Sequence, residues 1–194
     1  SGKGKSRPPF FLHEFRCVDS VSGEEDHCIT KHIQNLMKRE YPHLQSTIIE
    51  LYTYLDDLSF VLLEALDHYF GDVVSLMNVI GDRDENILQW HQQSLGKRAS
   101  IKSPDKANNL LTLFMLTNSN VFEFSRPDGN WHLIGNSPGE IIVGVGSMLS
   151  RISHKRMAVV KHQLYEQSTK DESHYPSPFF VFFQAGEYCS TIES

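Results

Sequence analysis

The run Gly139-Glu-Ile-Ile-Val-Gly-Val-Gly-Ser-Met-Leu-Ser-Arg-Ile-Ser-His-Lys-Arg-Met-Ala-Val-Val-Lys-His-Gln-Leu164, followed by Tyr175-Pro-Ser-Pro-Phe-Phe-Val-Phe-Phe183, decides the fold. A β-rich run enters a glycine turn, a short amphipathic segment follows, and the next strand carries one inward-capable histidine, His162. Valine, isoleucine and phenylalanine suit a pleated, half-buried surface. Gly144-Val-Gly-Ser-Met superficially resembles a dinucleotide glycine loop. It lacks the third glycine and the later acidic residue, so it reads as a tight turn between a strand and a short helix.

Working outward, strand periodicity holds from Leu110 onward, with runs over 110–116, 121–124, 131–134, 140–145, 158–165 and 179–184. Turn signals separate them, among them Arg126-Pro-Asp-Gly-Asn130, where Asp128-Gly129 is a hairpin turn, and Asn136-Ser-Pro-Gly139. Upstream the period is helical. Thr47 with Glu50 forms a capping-box pattern. Ile48, Leu51, Leu55, Leu58, Leu62, Leu66 and Tyr69 then recur at three- and four-residue steps up to Gly71. Glu50, Asp57, Glu64 and Asp67 fall largely off that face, and a shorter helix is expected over 72–80.

Helices first and short strands afterwards predict an α+β, mainly β protein, an antiparallel sandwich or barrel backed by N-terminal helices. One domain is expected over 31–194, with helices over about 45–80 and the β part over about 108–186; residues 1–30 are expected to be flexible or irregular. The opening Ser1-Gly-Lys-Gly-Lys-Ser6 suggests a phosphate loop, but the upstream glycine is absent and Pro8-Pro9 blocks the helix that must follow.

The chain has 194 residues and a formal net charge of −6, which argues against broad electrostatic binding to nucleic acid or an anionic membrane. Cys17, Cys28 and Cys189 are an odd set without Cys-x-x-Cys spacing. They read as free thiols in a reducing, cytoplasmic setting, with a Cys17–Cys28 bridge as the alternative. No run is long and apolar enough for a membrane helix. Ten histidines invite a zinc reading, yet no ligand-spaced cluster exists, and His68, His91, His132 and His154 read as ordinary polar residues. No Gly-x-Ser-x-Gly elbow supports a serine hydrolase.

The order and spacing from Gly139 to Phe183 resemble the C-terminal half of the double-stranded β-helix, or jelly roll, of iron(II)/2-oxoglutarate-dependent oxygenases of the isopenicillin N synthase-like group. Leu149-Ser-Arg-Ile-Ser-His-Lys-Arg-Met-Ala-Val-Val-Lys-His162-Gln-Leu is similar to that group's segment around its second histidine ligand, so the resemblance makes His162 a metal ligand. In the group the first histidine and a carboxylate come from His-x-Asp beside a Leu-Thr-Leu strand, matched here by Leu111-Thr-Leu113. An ungapped count puts Asp105 at the histidine position. A two-residue insertion instead keeps Asp105 as the carboxylate and puts Ser103 at the histidine. Asp105 is the ligand-capable side chain either way.

In the group an Arg-x-Ser motif before Pro-Phe-Phe grips 2-oxoglutarate, a bidentate task suited to a guanidinium. Here His174 takes the arginine position and Pro176 the serine position. Trp90-His-Gln-Gln93 stands in place of a His-Tyr-Pro-Pro segment, with Gln92 where a cosubstrate-binding tyrosine belongs. The group's Ile-Pro-x-Ile-Asp opening has no counterpart. The resemblance implies Fe(II) and 2-oxoglutarate as cofactors and a small organic substrate. The joint change of His-x-Asp and Arg-x-Ser supports an alternative, a catalytically degenerate β-helix domain that binds a small molecule or acts as an interaction module.

Overall fold

A computed structural model describes residues 15–19, 39–71, 75–80, 86–92, 109–116, 120–126, 128–135, 137, 139–166 and 178–186. The elements in chain order are β1 (Phe15–Asp19), α1 (Pro42–Phe70), β2 (Ile87–Gln92), β3 (Asn109–Met115), β4 (Asn120–Ser125), β5 (Trp131–Ile134), β6 (Ile141–Val145), α2 (Ser147–Ile152), β7 (His162–Glu166) and β8 (Pro178–Ala185). A five-stranded sheet runs β1-β2-β8-β3-β6 and a three-stranded sheet runs β5-β4-β7. The β1–β2 pair is parallel and the other pairs are antiparallel.

Helix α1 begins earlier than the capping-box pattern suggests. Proline occupies the first turn, where its fixed φ suits a helix and its missing N–H leaves nothing unsatisfied. Thr47 therefore lies inside the helix, its Oγ1 donating to His43 O at 3.0 Å. Gly71 ends the helix with φ +61, its N–H donating to Asp67 O. The buried line is Ile48, Tyr52, Leu55, Ser59, Leu63 and Phe70, flanked by the half-buried Leu51, Leu58, Leu62 and Leu66. Tyr69, expected on the apolar face, is 80% exposed. Leu55 and Leu63 are fully buried, each worth about 2 kcal/mol in transfer from water.

Where a second helix was expected, residues 75–80 form turns, with Val79 N–H donating to Leu76 O at 2.9 Å. Leu76 is driven fully into the core while the Asp67 side chain accepts its N–H. At the other end, residues 15–19 form an edge strand inside the segment expected to be irregular.

The large sheet is apolar on both faces. Leu88, Leu111, Leu113 and Phe182 pack with α1, whereas Phe114, Phe179, Val181 and Phe183 pack with Phe122 and Leu164 of the small sheet. The Phe114 and Phe122 rings meet edge-on at 5.0 Å across the gap, so the two sheets face each other. Between α1 and the large sheet lies a buried polar cluster. Asn86 Nδ2 donates to Asp56 Oδ1 at 2.6 Å and to Gln184 Oε1 at 3.0 Å, and Asn86 Oδ1 accepts the Ala185 N–H at 2.8 Å. Ser59 Oγ also donates to Gln184 Oε1. A buried carboxylate is tolerable only where such donors replace water.

The Asp-Gly turn joins β4 to β5 as expected. Gly129 has φ +83, and the Arg126 N–H donates to Asn130 O at 3.0 Å. After α2 the chain turns sharply through His154 (φ +50) and Lys155 (φ +61), and the Lys155 N–H donates back to Ser150 O at 2.8 Å.

Candidate functional site

A cavity of about 460 Å³ lies between the sheets, on the side of β3 and β6. Its wall is mainly apolar: Phe114, Phe122, Phe124, Ile134, Ile142 and Phe183, with Val159 and Val160 on the approach to β7. Its polar groups come from Asn109 and Thr112 on β3, Ser147 at the start of α2, and His162 on β7. Few polar groups on an apolar wall is the usual character of a small-molecule site.

Strand register places His162. It pairs with Phe124 while Leu164 pairs with Phe122, so alternation points His162 and Leu164 between the sheets and Gln163 to the other face. Gln163 Nε2 there donates to Glu123 Oε2 at 2.6 Å. The His162 ring stacks on Phe122 at 5.5 Å and 12° and meets Phe114 edge-on at 5.0 Å. Its Nδ1 lies 3.3 Å from Val160 O. A carbonyl only accepts, so Nδ1 is the donor in this contact.

Strand β2 carries a second inward histidine. His91 is 3% exposed, lies flat against Phe179 (4.9 Å, 7°), and has Nε2 3.0 Å from Gln89 Oε1. Burial lowers its pKa to about 4, so it is neutral at neutral pH. The ordinary polar residue expected here is a core histidine.

A bulge shapes the cavity floor. The β3–β8 register shifts between Asn109 and Leu111, so Asn109 and Thr112 both reach the cavity although simple alternation would set them on opposite faces. Asn109 Nδ2 donates to Thr112 Oγ1 at 2.7 Å, while Asn109 Oδ1 is buried without a hydrogen-bond partner among the described residues. Gly146 presses against the bulge. Its N–H donates to Leu110 O at 2.8 Å, and a Cβ there would meet Asn109 O at 2.0 Å. Of the expected Gly144-Val-Gly146 turn, Gly144 lies in β6, and Gly146 is glycine because backbone crosses backbone there.

Of the four site residues expected from sequence, His162 stands on the cavity wall. Gln92 ends β2, its backbone opposite Pro178. Asp105 and His174 lie outside the described residues. A facial iron site needs two histidines and a carboxylate around one point. His162, an imidazole on the cavity wall, is of the right chemical type for one of those three places. It is the one His, Cys, Asp or Glu side chain on the described cavity wall, and no three such side chains converge anywhere among the described residues. The described residues alone therefore do not make an iron site. Among them, no helix is long and apolar enough to cross a membrane. Asn109 and Thr112 were not expected as site residues. The legible signal was one asparagine, Asn109, opening a mainly apolar strand.

The structure is similar to a putative oxygenase from Shewanella oneidensis (TM-score 0.61, 19% identity, 75% of this chain and 58% of that one). It is equally similar to a putative 2OG-Fe(II) oxygenase family protein from Caulobacter crescentus (TM-score 0.61, 22% identity, 76% and 48%). A full-length protein from Neurospora crassa, solved in complex with alpha-KG, matches at TM-score 0.60 and 15% identity, over 78% of this chain and 49% of that one. These identities establish a shared fold, and the chain spans about half the length of these proteins. No protein-family model matches the chain, and no curated protein matches it in sequence.

Proposed function

We propose that this domain, sharing the fold of 2OG-Fe(II) oxygenases, is an iron(II)/2-oxoglutarate-dependent oxygenase of the isopenicillin N synthase-like kind. It would act on a small organic molecule held between its sheets, which are the two walls of a double-stranded β-helix. One observation carries the reading: His162 stands on the cavity wall, its ring held by Phe122 and Phe114 and its Nδ1 turned to Val160 O. His162 and Asp105 are the proposed metal ligands, and His174 and Gln92 the contacts to 2-oxoglutarate. Iron held by His162 and Asp105, with 2-oxoglutarate, would supply dioxygen activation. The chain itself fixes the His162 ring and lines the cavity with phenyl groups that exclude water. Three cysteines without paired spacing support a cytoplasmic setting.

The second reading is a catalytically degenerate domain that binds a small molecule without turning it over. The presence of a single metal-binding side chain on the described wall favours it. Anaerobic Fe(II) titration separates the two. The oxygenase reading expects one equivalent bound tightly by the wild type and lost in His162→Ala. A wild type that binds no iron ends that reading and leaves the second.

A further inference from the structure

We infer that the cavity takes a small planar molecule with a lactam-like edge, a hydrogen-bond donor beside an acceptor, seated on Asn109 and Thr112. This rests on the reading of the cavity as a small-molecule site and does not depend on iron.

The two side chains are 7% and 6% exposed, and both face the cavity. Asn109 Oδ1 has no hydrogen-bond partner among the described residues, an unfavourable state for a buried acceptor. Thr112 Oγ1 already accepts the Asn109 amide at 2.7 Å, so its own O–H aims elsewhere, and no acceptor meets it among the described residues. An acceptor and a donor therefore stand side by side on the wall. Reversing the Asn109 amide exchanges which residue donates and leaves the complementary edge the same. The pair is built by the bulge after Asn109, held from behind by Gly146. Phe114 and Phe122 supply flat apolar surface to the rest of the guest. A charged ligand is disfavoured at this edge, because neither side chain carries a charge to replace lost hydration.

The test uses three probes of matched size: 2-quinolinone, its N-methyl derivative, and naphthalene. Binding is followed through the ring signals of His162 in histidine-labelled protein. The wild type is expected to bind 2-quinolinone about tenfold more tightly than the N-methyl compound. Asn109→Leu and Thr112→Val should each abolish that preference while naphthalene binding persists. Thr112→Val keeps the side-chain shape and serves if Asn109→Leu does not fold. Equal binding of the two quinolinones by the wild type, or a preference that survives both substitutions, overturns the inference. If naphthalene shifts His162 and neither quinolinone does, the polar edge is wrong and the cavity reading stands. If none of the three shifts His162, the cavity reading falls and this inference falls with it.

Discussion

Lowering the pH protonates the unfolded chain at a site where the folded state resists protonation, His91. Its imidazole is 3% exposed against Phe179, and burial lowers its pKa to about 4 from the ordinary 6.5. The unfolded state therefore binds more protons between those two values, and stability must fall as pH falls through that window. Above about pH 6.5 the effect is absent; at about pH 5 it amounts to about 2 kcal/mol, and it saturates near 3 kcal/mol below about pH 4.

His91→Phe keeps the stack and removes the titration. It also takes the donor from Gln89 Oε1, an offset of about 1 kcal/mol that does not vary with pH. Urea unfolding of both proteins across a pH series isolates the difference. Between about pH 7.5 and about pH 5 the wild type should lose about 2 kcal/mol more than the variant, or about 4–8 °C in Tm. Parallel stability curves would refute the argument, since they would mean that His91 accepts a proton as readily folded as unfolded.

Other perturbations follow from local geometry. Gly146→Ala places a Cβ 2.0 Å from Asn109 O and 2.4 Å from Asn109 C, backbone atoms with nowhere to go, and should cost about 3 kcal/mol or more in denaturant unfolding. Gly135→Ala, where a Cβ meets nothing within 4 Å, should stay within about 0.5 kcal/mol of wild type and serves as the control. Asn86→Ala takes the donor from Asp56 Oδ1 and the acceptor from the Ala185 N–H. A loss of about 3–5 kcal/mol is expected by the same assay, and a loss below about 1 kcal/mol would show that water replaces the amide.

The second half of the chain was legible because its strands are apolar and its turns carry Asp-Gly and Gly-Val-Gly. Strand β2 escaped notice for a physical reason. Its inward face carries Gln89 and His91, so Ile-Leu-Gln-Trp-His-Gln shows no clean alternation of apolar and polar. Strand β1 is short and holds Arg16 and Asp19. Helix α1 was legible in extent at Gly71 but not at its start, where a proline outranked a capping box. Nor did its sequence betray buried Asp56, whose partner network reaches Asn86, 30 positions away, and Gln184 beyond it. Around the cavity, the strand that carries His162 was legible through the pattern around it. Asn109 was not, because a β-bulge rather than a periodicity turns it toward the cavity.

The buried polar cluster has a consequence for how β8 finds its place. The run Phe179-Phe-Val-Phe-Phe183 is greasy on both sides, so sliding it by a single position would bury nearly as much hydrocarbon and meet little resistance from solvent. Gln184 breaks that degeneracy. Shifted by one, its amide would turn from Asn86 and Ser59 toward phenyl rings, and a methyl or benzyl group would confront the Asp56 carboxylate instead. The cluster acts as a key for alignment: hydrocarbon makes the strand adhere, and one carboxamide dictates where it stops.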